Sequence, residues 1–135
     1  MSWPVLVFDI ESIPDIAGLR ALRHDPPDAT DAQVYAAWVQ ERKDKGQGDF
    51  MPLHLQRILV ISCVFRNAEG LRLHSFVDKD GASEGKVVQT FFNTIEKHVP
   101  QLVSWNGGGF DLPVLHYRGL QHGVVADKYW DLGDD

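Results

Sequence analysis

One cysteine in 135 residues, Cys63, excludes an internal disulfide; inside "ILVISCVF" it reads as a small buried residue of a strand. No apolar run approaches the ~20 residues of a membrane span. The start, "MSWPVLVFDIES", lacks the basic-then-apolar order of a signal peptide, so a soluble, cytoplasmic protein is expected. Basic residues are few, 13 Lys and Arg against 19 Asp and Glu, for a net charge of −6. That balance disfavours a broad, sequence-independent grip on nucleic acid, which relies on cations of the protein. It leaves open a phosphodiester enzyme with a small metal site, where divalent ions supply the positive charge. Internal repeats and low-complexity segments are absent. His54, His74, His98 and His116 lack metal-ligand spacing and read as surface or hairpin residues. What remains is ordinary globular material, 44% hydrophobic and 24% charged, enough for one domain with a proper core.

The element order follows from periodicity and breakers. A strand over about 4–10 is apolar on both sides, which predicts cover on both faces. Residues 14–52 form an excursion, mobile and partly helical: a short helix near "AGLRAL", then "DAQVYAAWVQERKDK", with Thr30 or Asp31 as N-cap. A strand at 56–66, a turn at "NAEG" and an outer strand at 71–78 make a hairpin. "KVVQTFFNTIEKHV" places Val87, Val88, Phe91, Phe92, Ile95 and Val99 on one helical face, with Ser83 as N-cap and Pro100 as the stop. A strand at 101–105, the turn "NGGGFD" and a helix ended by Gly123 complete the pattern. "DKDG" at 78–81 is turn chemistry, and Asp131, Asp134 and Asp135 read as a solvated acidic end. Strand, hairpin, helix, strand and helix together predict an α/β domain: a mixed sheet flanked by helices.

"VLVFDIES" raises the chemical question. Asp9 and Glu11, two apart in a strand, share a face with Cα atoms roughly 6–7 Å apart. Burying two such carboxylates is costly without a cation between them. Either that strand end is open to water or it holds a metal. A third carboxylate, Asp111, follows Asn106 and three glycines and opens a helix, where capping by the dipole is the simplest role. The glycines lack the Lys-Ser/Thr of a phosphate-binding loop.

Taken together, "FDIES" and "NGGGFDLPVL", in this chain order, resemble the DEDD-type 3′–5′ exonucleases of RNase H-like fold. The likeness is to the proofreading exonuclease domain of family B DNA polymerases and its stand-alone predicted relatives. It covers nearly the whole chain in element order, least so the excursion. The resemblance implies that Asp9, Glu11 and Asp111 bind two divalent ions, Mg²⁺ or Mn²⁺, and are the catalytic carboxylates. It implies substrate contacts from Ile10, Ser12, Asn106 and Phe110: Ser12 toward the terminal 3′-OH, Ile10 and Phe110 against the last base or sugar. The expected partner is a single-stranded 3′ end, DNA rather than RNA, and the product a nucleoside 5′-monophosphate. Two ions about 4 Å apart suit that reaction, and hard oxygen ligands suit such ions.

The family's third motif, Tyr-x-x-x-Asp or His-x-x-x-x-Asp on a helix, is missing. "HGVVAD", His122 to Asp127, imitates it, but follows the preceding helix with no strand between. The chain is therefore expected to be truncated before the last strand and helix, to be weakly active alone, and to have an exposed sheet edge that can pair with another copy. The rivals are a non-catalytic nucleic-acid-binding or polymerase-associated module and an RNase H-like endonuclease or resolvase.

Overall fold

The computed structural model describes residues 3–131. The opening apolar run forms β1 (Val5–Pro14), extended beyond the expected end through both carboxylates. Leu6, Phe8 and Ile10 are buried while Val7, Asp9 and Glu11 are exposed. This corrects the expectation of cover on both faces: Val7 is 42% exposed, and the acidic members of its row mark a face turned to water. Val103, Val7, Val64 and Leu73 lie side by side in register across that face.

The excursion is better organised than its breakers suggest. Asp15 caps α1 (Ile16–Leu22) by accepting the Gly18 N–H. Thr30, not Asp31, caps α2 (Asp31–Asp44), in a reciprocal capping box with Gln33. Val34 and Trp38 of α2 join Leu19, Met51 and Leu55 in a small separate core. Arg23 pairs with Asp25 at 2.9 Å and Glu41 at 2.7 Å across the segment. The Asp15 N–H donates to the Leu55 carbonyl at 2.8 Å, which closes the excursion at its base.

A single 3-10 turn, Leu53–Leu55, leads into β2 (Gln56–Asn67), which turns at Gly70 (φ +129°) into β3 (Gly70–Val77). β4 (Gln101–Val103) runs parallel to β1, and the other neighbours are antiparallel, in the order β3-β2-β1-β4. This mixed sheet flanked by helices is consistent with the RNase H-like fold. Between Glu11 and Ser12 the register slips by one residue of β2, Leu59, a bulge beside the acidic pair.

α3 (Glu84–His98) lays Val87, Val88, Phe91, Phe92 and Ile95 on the sheet. Val99, expected on that face, is the C-cap in left-handed conformation (φ 42°) and half exposed, because a residue before proline is pushed out of the α region. Ser83 holds the N-cap position, but its hydroxyl turns to Asp78 at 2.7 Å instead of capping. Asp78 also takes Arg57 at 2.7 Å, so "DKDG" begins with a buried anchor. Burial alone would raise the Asp78 carboxyl; Ser83 and Arg57 outweigh it and hold it down at about 2. A carboxyl depressed on folding stabilises above its unfolded pKa, and that contribution is lost as pH falls toward about 2. Asp78→Asn should therefore flatten the acid limb of a stability–pH curve below about pH 4, read by urea midpoints; an unchanged acid limb would contradict the pairing.

α4 (Leu112–Gln121) packs Val114 and Leu115 into the core, and a short α5 (Asp127–Trp130) follows, absent from the sequence reading. Arg118 of α4 is 3% exposed and binds Glu84 at 2.6 Å, Asp15 at 2.8 Å and the His54 carbonyl at 2.8 Å. Glu84 also accepts the Ile58 N–H and contacts His122 at 2.8 Å. One guanidinium thus ties α4 to the end of β1 and the start of α3. His116 is half-buried against the Tyr129 hydroxyl at 2.5 Å, not a free surface residue. Cys63 is buried and its thiol pushed up to about 11, in keeping with an inert core residue. Among the described residues no helix is long and apolar enough to cross a membrane. Asp134 and Asp135 lie outside the described residues.

Candidate active site

The parallel pairing of β1 and β4 points both strands' C-terminal ends in one direction, so the segment after β4 arrives beside Asp9. That segment is shaped by small residues. Asn106 adopts the left-handed conformation (φ 54°), and its carbonyl accepts the N–H groups of Gly109 and Phe110 at 3.1 and 3.0 Å. Residues Gly107–Asp111 then form a π turn, a wide coil common at functional sites. A Cβ on Gly107 would lie 2.9 Å from the Ser104 Cβ, and one on Gly109 2.5 Å from the Asn106 Oδ1. These glycines therefore let the turn close over the strand end.

The turn delivers Asp111 inward. It holds the N-cap position of α4 yet makes no side-chain cap bond, so simple helix capping does not account for it. It is 3% exposed, and among the described residues its Oδ2 has no hydrogen-bond partner. Burial raises the Asp111 carboxyl above its ordinary range; the Ser104 hydroxyl opposes this, the charge of Asp9 adds to it, and the Ile10 backbone N–H opposes it again. Asp9 and Asp111, far apart in the chain, thus share one electrostatic environment. Ser104 has no signal in the sequence beyond standing two residues before Asn106.

The other expected site residues are placed unevenly. Glu11 shares the exposed row with Asp9. Among the described residues no three His, Cys, Asp or Glu side chains are grouped to hold an ion, so Glu11 is not gathered with Asp9 and Asp111 into one compact set. Ile10 is 5% exposed and belongs to the core, corrected from its expected place against a base, because alternation turns it away from Asp9. Its backbone serves the site instead, through Asp111. Ser12 is half-buried and donates to the Gln56 Oε1 at 2.9 Å. Asn106 is exposed and Phe110 half-buried beside the turn. His122 is engaged with Glu84, in line with setting "HGVVAD" aside.

The family model for predicted 3′–5′ exonucleases related to the exonuclease domain of PolB matches residues 48–135. The chain belongs to this family. The matched span of this PolB-related exonuclease family includes β2 through the π turn and Asp111. β1, with Asp9 and Glu11, lies before it and joins it through the sheet. No curated protein matches the chain.

A cation would suit the pair on chemical grounds. Asp111 presents a buried oxygen with no partner among the described residues, close enough to Asp9 to feel its charge, and hard oxygen donors fit Mg²⁺ or Mn²⁺. Without a positive charge, both desolvation and like-charge repulsion act against that arrangement.

Proposed function

We propose that this domain is a metal-dependent 3′–5′ exonuclease that hydrolyses the terminal phosphodiester of single-stranded DNA and releases nucleoside 5′-monophosphates. The observation that carries it is the buried Asp111 oxygen, which has no hydrogen-bond partner among the described residues and lies within electrostatic reach of Asp9.

Asp9, Glu11 and Asp111 would hold two divalent ions, which when bound supply an activated water and charge stabilisation for the departing 3′-oxygen. Asp9, exposed on the open face, would help to hold the ions. Glu11 has the freedom of an exposed side chain to swing toward them. Asp111 is buried at the end of the π turn, and Ser104 and the Ile10 N–H favour its ionised form. Asp111, fixed by the fold, would need little rearrangement when an ion binds, whereas Glu11 would have to move. Ser12, Asn106 and Phe110 flank the carboxylates and would bind the terminal nucleotide. Residues 1–135, with the insertion at 14–52, would act together as one exonuclease domain.

The test is incubation with a 3′-labelled single-stranded oligonucleotide and Mn²⁺, followed by separation of products. Stepwise mononucleotide release that disappears with Asp9→Ala is expected. Release that survives Asp9→Ala, or cleavage of a circular single strand, would sink the proposal.

A further inference from the structure

Phe50 lies at the return of the excursion, outside every motif considered above, and is 63% exposed. A lone exposed aromatic is unremarkable, but this one has a specific neighbour. Its ring meets that of Phe110 edge to face, 6.1 Å between centroids at 63°. Phe110 is the residue before Asp111. The backbone beside Phe50 is also fixed to the acidic strand. Buried Gln56 donates its Nε2 to the Met51 carbonyl at 2.9 Å, and its Oε1 accepts the Ser12 hydroxyl at 2.9 Å. Ser12 directly follows Glu11, and Met51 is itself packed with Trp38 and Leu55. A two-bond bracket therefore runs from the carboxylate strand to the neighbour of Phe50. Phe50 thus has a steadied main chain, one edge against Phe110 and most of its ring in water.

We propose that Phe50 is a substrate-positioning residue, forming with Phe110 an aromatic platform that stacks an unpaired base at the 3′ end. This role presupposes the exonuclease activity proposed above. Stacking tolerates any base because every base has a π face, so the platform selects strandedness and not sequence. A base in a duplex end is already paired and stacked and must first be released.

The experiment compares single-stranded oligonucleotides ending in thymidine or in an abasic residue. Binding is read by fluorescence anisotropy with Ca²⁺, and initial rates with Mn²⁺. Phe50→Ala should weaken binding and raise KM about tenfold for the thymidine end, leave kcat within about twofold, and leave the abasic end unchanged. Phe50→Trp should restore the loss. An unchanged unfolding midpoint is expected for so exposed a site. Equal effects on both ends, or none, would overturn the platform. If Asp9→Ala abolishes cleavage while Phe50→Ala does not discriminate, the platform alone falls. If Asp9→Ala cleaves normally, or the unaltered chain binds neither oligonucleotide, the exonuclease reading falls and the platform with it.

Discussion

Arg118→Ala should destabilise the fold by about 3–5 kcal/mol, the cost of leaving buried charges without their partner. Glu84 and Asp15 would both lose the guanidinium, and the His54 carbonyl would lose a donor. Burial works to raise both carboxyls, and hydrogen bonds outweigh it: Arg118 and His122 to Glu84, the Gly18 N–H and Arg118 to Asp15. Their stabilising share is present at neutral pH and lost as pH falls through the lowered values, so the penalty should shrink in acid. Against a total of about 5–15 kcal/mol for a typical domain, the loss is large. Urea unfolding at pH 7 measures it. Combining Arg118→Met with Glu84→Gln should recover part of the loss, since an apolar replacement avoids the desolvated charge. A loss under about 1 kcal/mol for Arg118→Ala would mean that the ion network is not buried as described.

Asp111→Asn should separate stability from activity, with opposite signs. The carboxyl is raised on folding, chiefly by burial, so the unfolded chain ionises first as pH rises. Its penalty on the fold is absent below the unfolded pKa and complete above the folded one. In metal-free buffer Asp111→Asn should therefore be more stable than the unaltered chain at pH 7 and equal to it near pH 3. Mn²⁺ at a hundredfold excess over its Kd should stabilise the unaltered chain by about 2.7 kcal/mol and the variant by far less. Mononucleotide release should fall on the order of a thousandfold, since several kcal/mol of transition-state stabilisation depend on a correctly held ion. Urea midpoints at two pH values, with and without Mn²⁺, check the first part. A variant destabilised at pH 7 and still responsive to Mn²⁺ would remove Asp111 from the site.

The parts of the fold that rest on local pattern were legible in the sequence. The β2–β3 hairpin, the apolar face of α3 and the mixed sheet followed from periodicity and turn residues alone. The electrostatic link between Asp9 and Asp111 has no signal in periodicity, and only the order of two short motifs pointed to it. Neither the depth of Asp111 nor its Ser104 support has a periodic signature. Arg118 was invisible for a related reason. Its partners lie 34 and 103 positions away, and an arginine in "LHYRGL" reads as solvated until the chain has folded. Ile10 shows the opposite error, where a motif suggested a role that strand alternation denies to its side chain. The face of β1 was misjudged because Val5 and Val7 outweighed the two acids that share their row.

The bond from the Asp15 amide to the Leu55 carbonyl gives the stretch between them the character of a cassette. Both of its ends are clamped at neighbouring strands, and a closed loop pays only about 0.6 kcal/mol for each doubling of its length. The span matched by the family model begins at residue 48 and leaves nearly all of that cassette out. A change in the cassette's length should therefore leave the acidic pair in place, whereas Phe50 lies within the matched span.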